Sequence, residues 1–391
     1  RIIIITRQIM NQKVLTILCA AVMMLFFSVN SSAQEKSKDV TLYPGREAYS
    51  VKFFPTTFSD KAPKNVILLI GDGMGVSQLF AGLTANRGNL FIENCKYIGF
   101  SKTSSADRYV TDSAAGATAL STGTKTYNGA IGVGPDKKPI KTILEEASRQ
   151  GKATGLVSTS SITHATPASF IAHQPSRSQE EDIAADFLKT DIDVFIGGGH
   201  DFFTKREDGR NLVHELIRKG YAVERELDRI ENFKGEKLAG LTAPKGNGRV
   251  ADRGNMLPVS TQTAIRVLQQ NEKGFFLMVE GSFIDSGGHG NNTVQVIEEV
   301  LDFDQAVGKA LEFAAANGET LVVVTADHET GGMAILDGSF ETGMLKGGFT
   351  TGGHTGVMVP IFAYGPGASE FIGIMENTDI HAKIKKLLLE E

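Results

Sequence analysis

The chain has 391 residues, of which 41% are hydrophobic and 22% are charged, and its formal net charge at pH 7 is −5. This composition is typical of a globular protein with a large core, and it excludes the basic field that a nucleic-acid-binding surface requires. The 43 glycines cluster after apolar runs, where α/β enzymes place their active-site loops.

The first 33 residues have the pattern of an export signal. Lys13 precedes an apolar run from Val14 to Val29, and Ser31-Ser32-Ala33 supplies a small-x-small cleavage site. A membrane anchor is the alternative, but the run is short for a bilayer span. We therefore expect cleavage after Ala33, with Met10 as the true start and residues 1–9 as upstream read-through. The product would be periplasmic or extracellular and free of the membrane.

From residue 65 onwards, apolar β-branched runs alternate with amphipathic helical patterns. The runs predict buried strands at Asn65–Ile70, Ala153–Ser158, Asp193–Ile196, Phe275–Glu280, Leu321–Thr325 and Val359–Tyr364. The patterns between them predict helices at Ile140–Gln150, Ser178–Leu188, Thr261–Gln270 and Thr293–Ala315. This alternation predicts an α/β fold, a three-layer α/β/α sandwich around a mostly parallel sheet. We expect residues 34–391 to form one catalytic domain, with residues 201–255 as a surface excursion.

The stretch Tyr109–Ala119 sets a hydroxyl beside a carboxylate at a predicted helix start. Ser113 follows Asp112, and the small residues after Ser113 allow the backbone to approach a bound group closely. The N–H groups of the first helical turn would then face an anion such as phosphate. Taken alone, the stretch is explained better as an ordinary N-cap before an alanine-rich helix.

Carboxylate and imidazole side chains stand at the ends of several apolar runs, which we interpret as strand ends. They are Asp72, Glu280, Asp285, His289, Asp327 and His328. Because the carboxyl ends of parallel strands share one crevice, these side chains should converge. Carboxylates and imidazoles together suit zinc and magnesium. A single aspartate of this kind could merely cap a helix, whereas the whole series favours a metal site.

With these residues in view, the chain resembles the alkaline phosphatase family from about Asn65 to Gly367. The matching motifs, in the family's order, are Gly-Asp-Gly-Met-Gly at 71–75, Thr-Asp-Ser-Ala-Ala at 111–115, Ala-Thr-Pro-Ala at 165–168, the segment 173–177, Val-Glu-Gly at 279–281, Thr-Ala-Asp-His at 325–328 and Gly-His-Thr-Gly at 353–356. The resemblance implies hydrolysis of small phosphate monoesters at alkaline pH through a phosphoserine, with release of inorganic phosphate.

The resemblance also implies a role for each matched position. Ser113 would be the nucleophile and Arg177 would bind two phosphate oxygens. Two Zn²⁺ ions and one Mg²⁺ ion are implied as cofactors. The expected ligands are Asp285, His289 and His354 for the first zinc, Asp72, Asp327, His328 and Ser113 for the second, and Asp72, Thr166 and Glu280 for magnesium.

The chain departs from the family in three places. Position 286 is Ser where relatives have Lys or His. The segment Thr330–Gly352 is short compared with the crown insertion that many members use at their dimer interface, so a homodimer and a monomer both stay open. His164 stands where the enterobacterial type has Asp. Its imidazole would lie at the third metal site and would favour Zn²⁺ or Co²⁺ there over Mg²⁺.

Three alternatives to a monoesterase stay open, because related folds with the same metal pair serve other reactions. A phosphodiesterase has less use for an arginine that grips two oxygens, and a sulfatase needs a Cys-x-Pro-x-Arg type context that residues 111–116 lack. A non-catalytic phosphate-binding protein is disfavoured because each matched ligand position is chemically competent. The remaining histidines are expected to be structural or surface groups: His173, His200, His214 and His381.

Overall fold

The structure is a computed structural model that describes residues 40–55, 58 and 61–390. The predicted export signal, residues 1–33, lies outside the described residues. Residues from Thr41 onwards form one compact unit. Within the described part of the chain, no helix is long and apolar enough to cross a membrane.

A ten-stranded sheet forms the centre of this unit, with two small sheets beside it. In chain order the strands are β1 (Thr41–Tyr43), β2 (Asn65–Gly71), β3 (Tyr97–Lys102), β4 (Ala153–Ser161), β5 (Val194–Gly198), β6 (Ala222–Glu224), β7 (Leu238–Leu241), β8 (Phe275–Gly281), β9 (Thr320–Thr325), β10 (Glu329–Thr330), β11 (Ala334–Gly338), β12 (Leu345–Gly348), β13 (His354–Thr355), β14 (Val359–Tyr364) and β15 (Gly373–Glu376). The large sheet has the order β15-β3-β14-β9-β2-β8-β4-β5-β7-β6. Among its described strands only β14 is reversed, since it runs antiparallel to both β3 and β9.

Helices cover both faces of the large sheet. In chain order they are α1 (Val76–Ala85), α2 (Ser113–Thr122), α3 (Ile143–Arg149), α4 (Ala165–Ala168), α5 (Glu180–Asp186), α6 (His200–Thr204), α7 (Leu212–Arg218), α8 (Leu227–Glu231), α9 (Val250–Arg253), α10 (Met256–Leu268), α11 (Phe283–His289), α12 (Thr293–Asn317) and α13 (Asn377–Leu389). Short 3-10 helices lie at Phe91–Asn94 and Ala368–Phe371.

Strand β2 shows why the sheet is a middle layer. Each of its residues is buried, and alternate side chains enter two separate cores. Ile67 and Leu69 belong to one core together with residues of α1, α10 and α12, whereas Val66 and Leu68 belong to the other core together with residues of α2, α3, α5 and α13. A strand that is covered on both faces has no polar side to show, which explains its continuous apolar run. The predicted α/β/α sandwich is therefore confirmed.

The predicted elements agree with the structure apart from their ends and one segment. The helix that was expected to begin at Thr261 begins at Met256, five residues earlier. The interpretation of residues 201–255 as a surface excursion was wrong, because this segment supplies β6 and β7, the last two strands at one edge of the sheet. The four residues of β7 are all buried and pair in parallel with β5, although charged residues surround them in the sequence.

Apart from β1, the strands of the two small sheets lie in the segment between β9 and β14. Strand β12 pairs with β11 and with β1, and β10 pairs with β13. The second pairing sets Thr330 directly opposite His354. The segment that resembles a shortened crown thus forms a hairpin against β1, and the pairing of β10 with β13 fixes the position of His354.

Candidate active site

The candidate site lies where the central strands of the large sheet end. In the sheet register Ile70 of β2 stands beside Glu280 of β8 and beside Thr325 of β9. Asp72 follows β2 directly, and Asp327 follows β9. The carboxyl ends of three neighbouring strands therefore place carboxylates close together, as the strand-end argument predicts.

Gly73 lets the loop after β2 approach the neighbouring helix closely. Its φ of +74° is in the left-handed region, and a Cβ at this position would lie 2.8 Å from the Cα of Asp285. A glycine is therefore required here on both conformational and steric grounds. The close approach brings Asp72 towards α11.

Asp285, His289 and His354 form the first cluster of metal-type side chains. The Nε2 of His289 lies 3.3 Å from Asp285 Oδ2 and 3.1 Å from His354 Nε2. The Nδ1 atoms of the two histidines contact backbone oxygens, Gly352 O at 2.7 Å and Thr111 O at 2.9 Å, which leaves both Nε2 atoms facing the cluster. Such backbone contacts orient imidazole ligands in metal sites.

The position of Asp285 and His289 corrects one sequence interpretation. They do not lie at a strand end, because residues 283–289 form helix α11. Their spacing of four residues places both side chains on one face of that helix. The convergence of the two ligands therefore comes from helical periodicity and not from the sheet edge.

Asp72, Asp285 and His328 form the second cluster, with Asp327 and Ser113 beside it. His328 Nε2 lies 3.3 Å from Asp72 Oδ1, 3.4 Å from Asp327 Oδ2 and 3.2 Å from Ser113 Oγ. Its ring stacks on that of His354 at a centroid distance of 3.6 Å, which joins this cluster to the first.

Asp72, His164 and Glu280 form the third cluster. His164 Nδ1 lies 3.7 Å from Glu280 Oε1, and the second oxygen of Glu280 accepts a hydrogen bond from Ser158. Thr166 is fully buried, and its Oγ1 has no hydrogen-bond partner among the described residues. Asp72 belongs to the second and third clusters alike and could bridge two ions.

The electrostatics of these clusters call for positive charge. Burial raises the pKa of Asp72 well above its ordinary value, and the neighbouring carboxylates Asp327, Asp285 and Glu280 raise it further. Burial and Asp285 likewise raise the pKa of Asp327 to about 7. Within the described chain, both oxygens of Asp72, one of Asp327 and one of Glu280 are buried without a hydrogen-bond partner. Buried carboxylates of this kind are paired or coordinate metals, so the donor set fits divalent cations.

Asp285 differs from the other carboxylates. Burial alone would raise its pKa, but hydrogen bonds with His289 and His354 outweigh that effect and hold the pKa below its usual range. Thr330 also donates a hydrogen bond to Asp285 Oδ1 at 2.5 Å. Asp285 is thus held as a carboxylate by its own neighbours.

Ser113 is the first residue of α2, and Asp112 is the N-cap of that helix. Asp112 Oδ1 accepts hydrogen bonds from Ala115 N and Gly129 N, each at 3.0 Å. The N-cap interpretation of this stretch therefore holds together with the placement of Ser113 beside the second cluster. Arg177 completes the arrangement, with Nη1 3.1 Å from Asp112 Oδ2 and Nη2 3.1 Å from His164 Nε2.

Glu329 and Gln78 are structural supports of the site that the sequence argument missed. Glu329 is buried and accepts hydrogen bonds from Gln78 Nε2 at 2.6 Å and from the Thr355 hydroxyl. It also accepts hydrogen bonds from the backbone N–H groups of Gly332 and Met333, each at 3.2 Å. It therefore joins the turn after β10 to α1 and to β13. The only hint in the sequence is that Glu329 follows His328 directly.

The remaining residues singled out in the sequence lie outside the three clusters. Ser286 is solvent-exposed and directly follows Asp285. Among the described residues, none of the metal-type clusters includes His173, His200, His214 or His381. An open cavity of about 570 Å³ is lined by Asp112 and His354 and also by Tyr109 and Asn128.

Comparison with known proteins gives consistent findings. The family model described as alkaline phosphatase matches residues 63–343. Alkaline phosphatase 4 of Bacillus subtilis (strain 168) is 36% identical in a match that covers 89% of this chain and 94% of that protein. The structure of alkaline phosphatase from the Antarctic bacterium TAB5 is 44% identical with a TM-score of 0.79, and it covers 84% of this chain and 99% of that one.

A solved variant of the TAB5 enzyme, in which aspartate replaces one histidine, contains magnesium in a site named M3. It is 44% identical to this chain with a TM-score of 0.80, and the match covers 84% of this chain and 99% of that one.

Proposed function

This chain belongs to the alkaline phosphatase family and is a phosphatase that acts on phosphate monoesters, and we propose that it does so at alkaline pH through a phosphoserine on Ser113. The observation that carries this proposal is the position of the Ser113 hydroxyl. Its Oγ lies at a helix start, 3.2 Å from His328 Nε2, and borders a cluster of buried carboxylates that lack hydrogen-bond partners in the described chain.

The three clusters would hold two Zn²⁺ ions and one Mg²⁺ ion. Asp285, His289 and His354 offer the mixed carboxylate and imidazole donors that zinc prefers. Asp72, Asp327, His328 and Ser113 would hold the second ion, and Asp72, Thr166, Glu280 and His164 would hold the third. When bound, such ions stabilise negative charge on oxygen as Lewis acids and increase the acidity of a coordinated hydroxyl group.

The chain itself supplies the binding and orientation of the phosphoryl group. Arg177 contacts Asp112 through one terminal nitrogen and His164 through the other, and the remaining N–H groups of its guanidinium would bind two phosphoryl oxygens. The N–H groups in the first turn of α2 also favour an anion beside Ser113. Because Asp112 caps this helix and pairs with Arg177, one carboxylate holds the nucleophile and the clamp together.

In the proposed reaction, Ser113 Oγ loses its proton to solvent and attacks phosphorus. The bond from Oγ to phosphorus forms while the ester bond breaks, and the leaving alkoxide takes a proton from water. A water molecule then attacks the phosphoserine. Its oxygen bonds to phosphorus while the bond from phosphorus to Oγ breaks, its proton passes to solvent, and Ser113 Oγ takes a proton back from solvent. Two in-line displacements retain the configuration at phosphorus.

We also propose that the protein is exported to the periplasm or beyond the cell. The support is the sequence pattern around Lys13, the apolar run from Val14 to Val29 and the small residues at 31–33. The expected partners are small phosphate monoesters, and both a homodimer and a monomer are compatible with the shortened crown. Analytical ultracentrifugation of the mature protein and sequencing of its first residues test these points.

Trapping of the intermediate tests the proposed function directly. The protein is incubated with labelled phosphate, quenched at low pH and digested, and the label is expected on the peptide that contains Ser113. Ser113→Ala should abolish the label and lower turnover by several orders of magnitude. Ser121→Ala, a matched serine variant in the same helix, should keep the label. Asp112→Ala should reduce activity much less than Ser113→Ala. A label on any other residue would overturn the assignment.

A further inference from the structure

His173 lies between two hydrogen-bond acceptors, although the metal clusters do not include it. Its Nδ1 is 2.7 Å from the carbonyl oxygen of Gly132, and its Nε2 is 3.0 Å from Glu145 Oε1. A neutral imidazole has a single N–H donor, so both contacts are hydrogen bonds only when the ring is protonated. The geometry therefore favours the imidazolium form of His173.

The charges around His173 agree with this geometry. Burial alone would lower its pKa, but the hydrogen bonds to Glu145 and to Gly132 outweigh burial and raise the pKa above its ordinary value. Asp186 also faces this group, since its Oδ2 accepts a hydrogen bond from His173 N at 2.9 Å, and Lys189 pairs with the other oxygen of Asp186 at 2.5 Å. Two carboxylates thus lie beside His173, since Glu145 contacts its ring and Asp186 accepts from its backbone N–H.

The Gly132 carbonyl connects His173 to the helix of the nucleophile. Gly132 N donates to Thr118 Oγ1 at 3.1 Å, and Thr118 Oγ1 donates to Ala130 O at 3.0 Å. Thr118 belongs to α2, whose first residue is Ser113. Gly132 has a φ of +57°, and a Cβ there would lie 2.1 Å from the Ala172 carbonyl oxygen. Only a glycine allows this close approach of the two segments.

The same two segments hold Arg177. Ile131 and Gln174 form an antiparallel bridge with backbone hydrogen bonds of 3.0 and 2.9 Å, and Arg177 N donates to Gly129 O at 2.8 Å. We call residues 129–132 together with residues 172–177 the strap. One side of the strap is bonded to α2, and the other side leads to the guanidinium of Arg177.

We propose that protonated His173 is a positioning residue that holds Arg177 in register with Ser113 through the strap. The inference rests on the proposed role of Arg177 in binding the phosphoryl group. A neutral ring or an amide at this position satisfies only one of the two acceptors, so residues 172–177 are free to shift against α2. Small shifts of a positioning group reduce transition-state binding without a change in any reacting atom.

A double-mutant cycle tests this inference. The inhibition constant for inorganic phosphate and kcat/KM for p-nitrophenyl phosphate are measured for His173→Gln, Arg177→Ala and the double variant. Below the pKa of His173, the change His173→Gln in the parent should weaken phosphate inhibition by about 10-fold, the usual scale for loss of a supporting residue. In the Arg177→Ala background the same change should have less than about a twofold effect, because the group that it positions is absent.

Two further variants sharpen the cycle. Glu145→Gln keeps the volume of Glu145 but removes its charge, and it should reproduce the effect of His173→Gln. It also serves as the test variant if His173→Gln does not fold. His200→Gln is the matched control, because His200 is also a half-buried histidine beside a carboxylate, 3.8 Å from Asp201 Oδ1, but lies outside the strap. Phosphate inhibition of His200→Gln should equal that of the parent.

A pH series separates positioning from simple loss of structure. The ratio of the inhibition constants of His173→Gln and the parent should fall towards one as pH rises through the pKa of His173, since the parent then also loses the imidazolium. Equal losses in both backgrounds, or no loss in either, would overturn the inference. If Arg177→Ala alone leaves phosphate inhibition unchanged, then Arg177 does not bind the phosphoryl group. That result would overturn this part of the proposed function and, with it, the positioning role of His173.

Discussion

Replacement of His381 by leucine should make the protein more resistant to acid unfolding. His381 lies in α13 against the C-terminal end of α2, where a Cβ on Gly123 would lie 2.6 Å from its Nδ1. Its side chain is only 7% exposed, and its Nε2 has no hydrogen-bond partner among the described residues. Burial lowers the pKa of His381 from its ordinary 6.5 to about 4.

The sign and size of the effect follow from linkage. The depressed pKa means that the folded protein prefers the neutral ring, so its stabilising contribution is complete above pH 6.5. As the pH falls from 6.5 towards 4, the unfolded chain binds a proton that the folded chain does not bind. A tenfold change in proton affinity is worth about 1.4 kcal/mol, so the stability lost by pH 4 is about 3 kcal/mol.

Urea unfolding at pH 7 and pH 4, with saturating zinc and magnesium, measures this loss for the parent and for His381→Leu. The free energy of unfolding of the parent is subtracted from that of the variant at each pH, which cancels the contributions of the other titrating groups. This difference should be about 3 kcal/mol larger at pH 4 than at pH 7. His214→Leu, a change of a solvent-exposed histidine in α7, controls for the loss of one imidazole. A difference that stays constant from pH 7 to pH 4 would refute the reasoning.

Three further changes have definite expected outcomes. Chelation with EDTA should abolish activity and lower the melting temperature, because the buried ligand carboxylates lose their counter-charge, and an unchanged midpoint in stripped protein would contradict this. Arg253→Met should lower the free energy of unfolding in urea by about 3–5 kcal/mol, since it leaves Glu299 and Asp302, both 2.6 Å from Arg253 Nη2, as buried charges without a partner. Loss of stability well below that range would show that these carboxylates find other partners. His164→Asp should retain magnesium at a lower free magnesium concentration than the parent, because a carboxylate is a harder donor than an imidazole. The measurement is the metal content of both proteins across a magnesium titration. Coincident titration curves would contradict a role for position 164.

The sequence was sufficient for the central strands because their physical signal is strong. Strands such as β2 and β8 are buried on both faces, so each appears as an unbroken apolar run. Strand β7 gave no such signal, since its four buried residues stand within a charged segment and acquire their partner only through pairing with β5. Pairing of this kind depends on the whole chain and not on the local pattern.

The sequence predicted which carboxylates and imidazoles meet at the candidate site, but it did not predict the residues that support them. Asp72 and Asp327 follow apolar runs, and the strand-end argument brings them together. The contact between Asp112 and Arg177 joins residues 65 positions apart, and Glu329 is bonded to Gln78 across 251 positions. Neither pair leaves a periodic signal in the sequence, because the distances arise only when the loops fold over the sheet edge.

The reversal of β14 determines which of the two segments that flank this strand reaches the candidate site. At the parallel strands β2, β8 and β9, the segment that follows the strand enters the candidate site. At β14 the segment that precedes the strand does so, and His354 therefore lies five residues before Val359. From Val359 the chain runs away from the candidate site, and at Tyr364 it reaches the opposite end of the strands. The turn beyond Tyr364 is consequently a place for a spectroscopic reporter that follows global unfolding without contact with the candidate site.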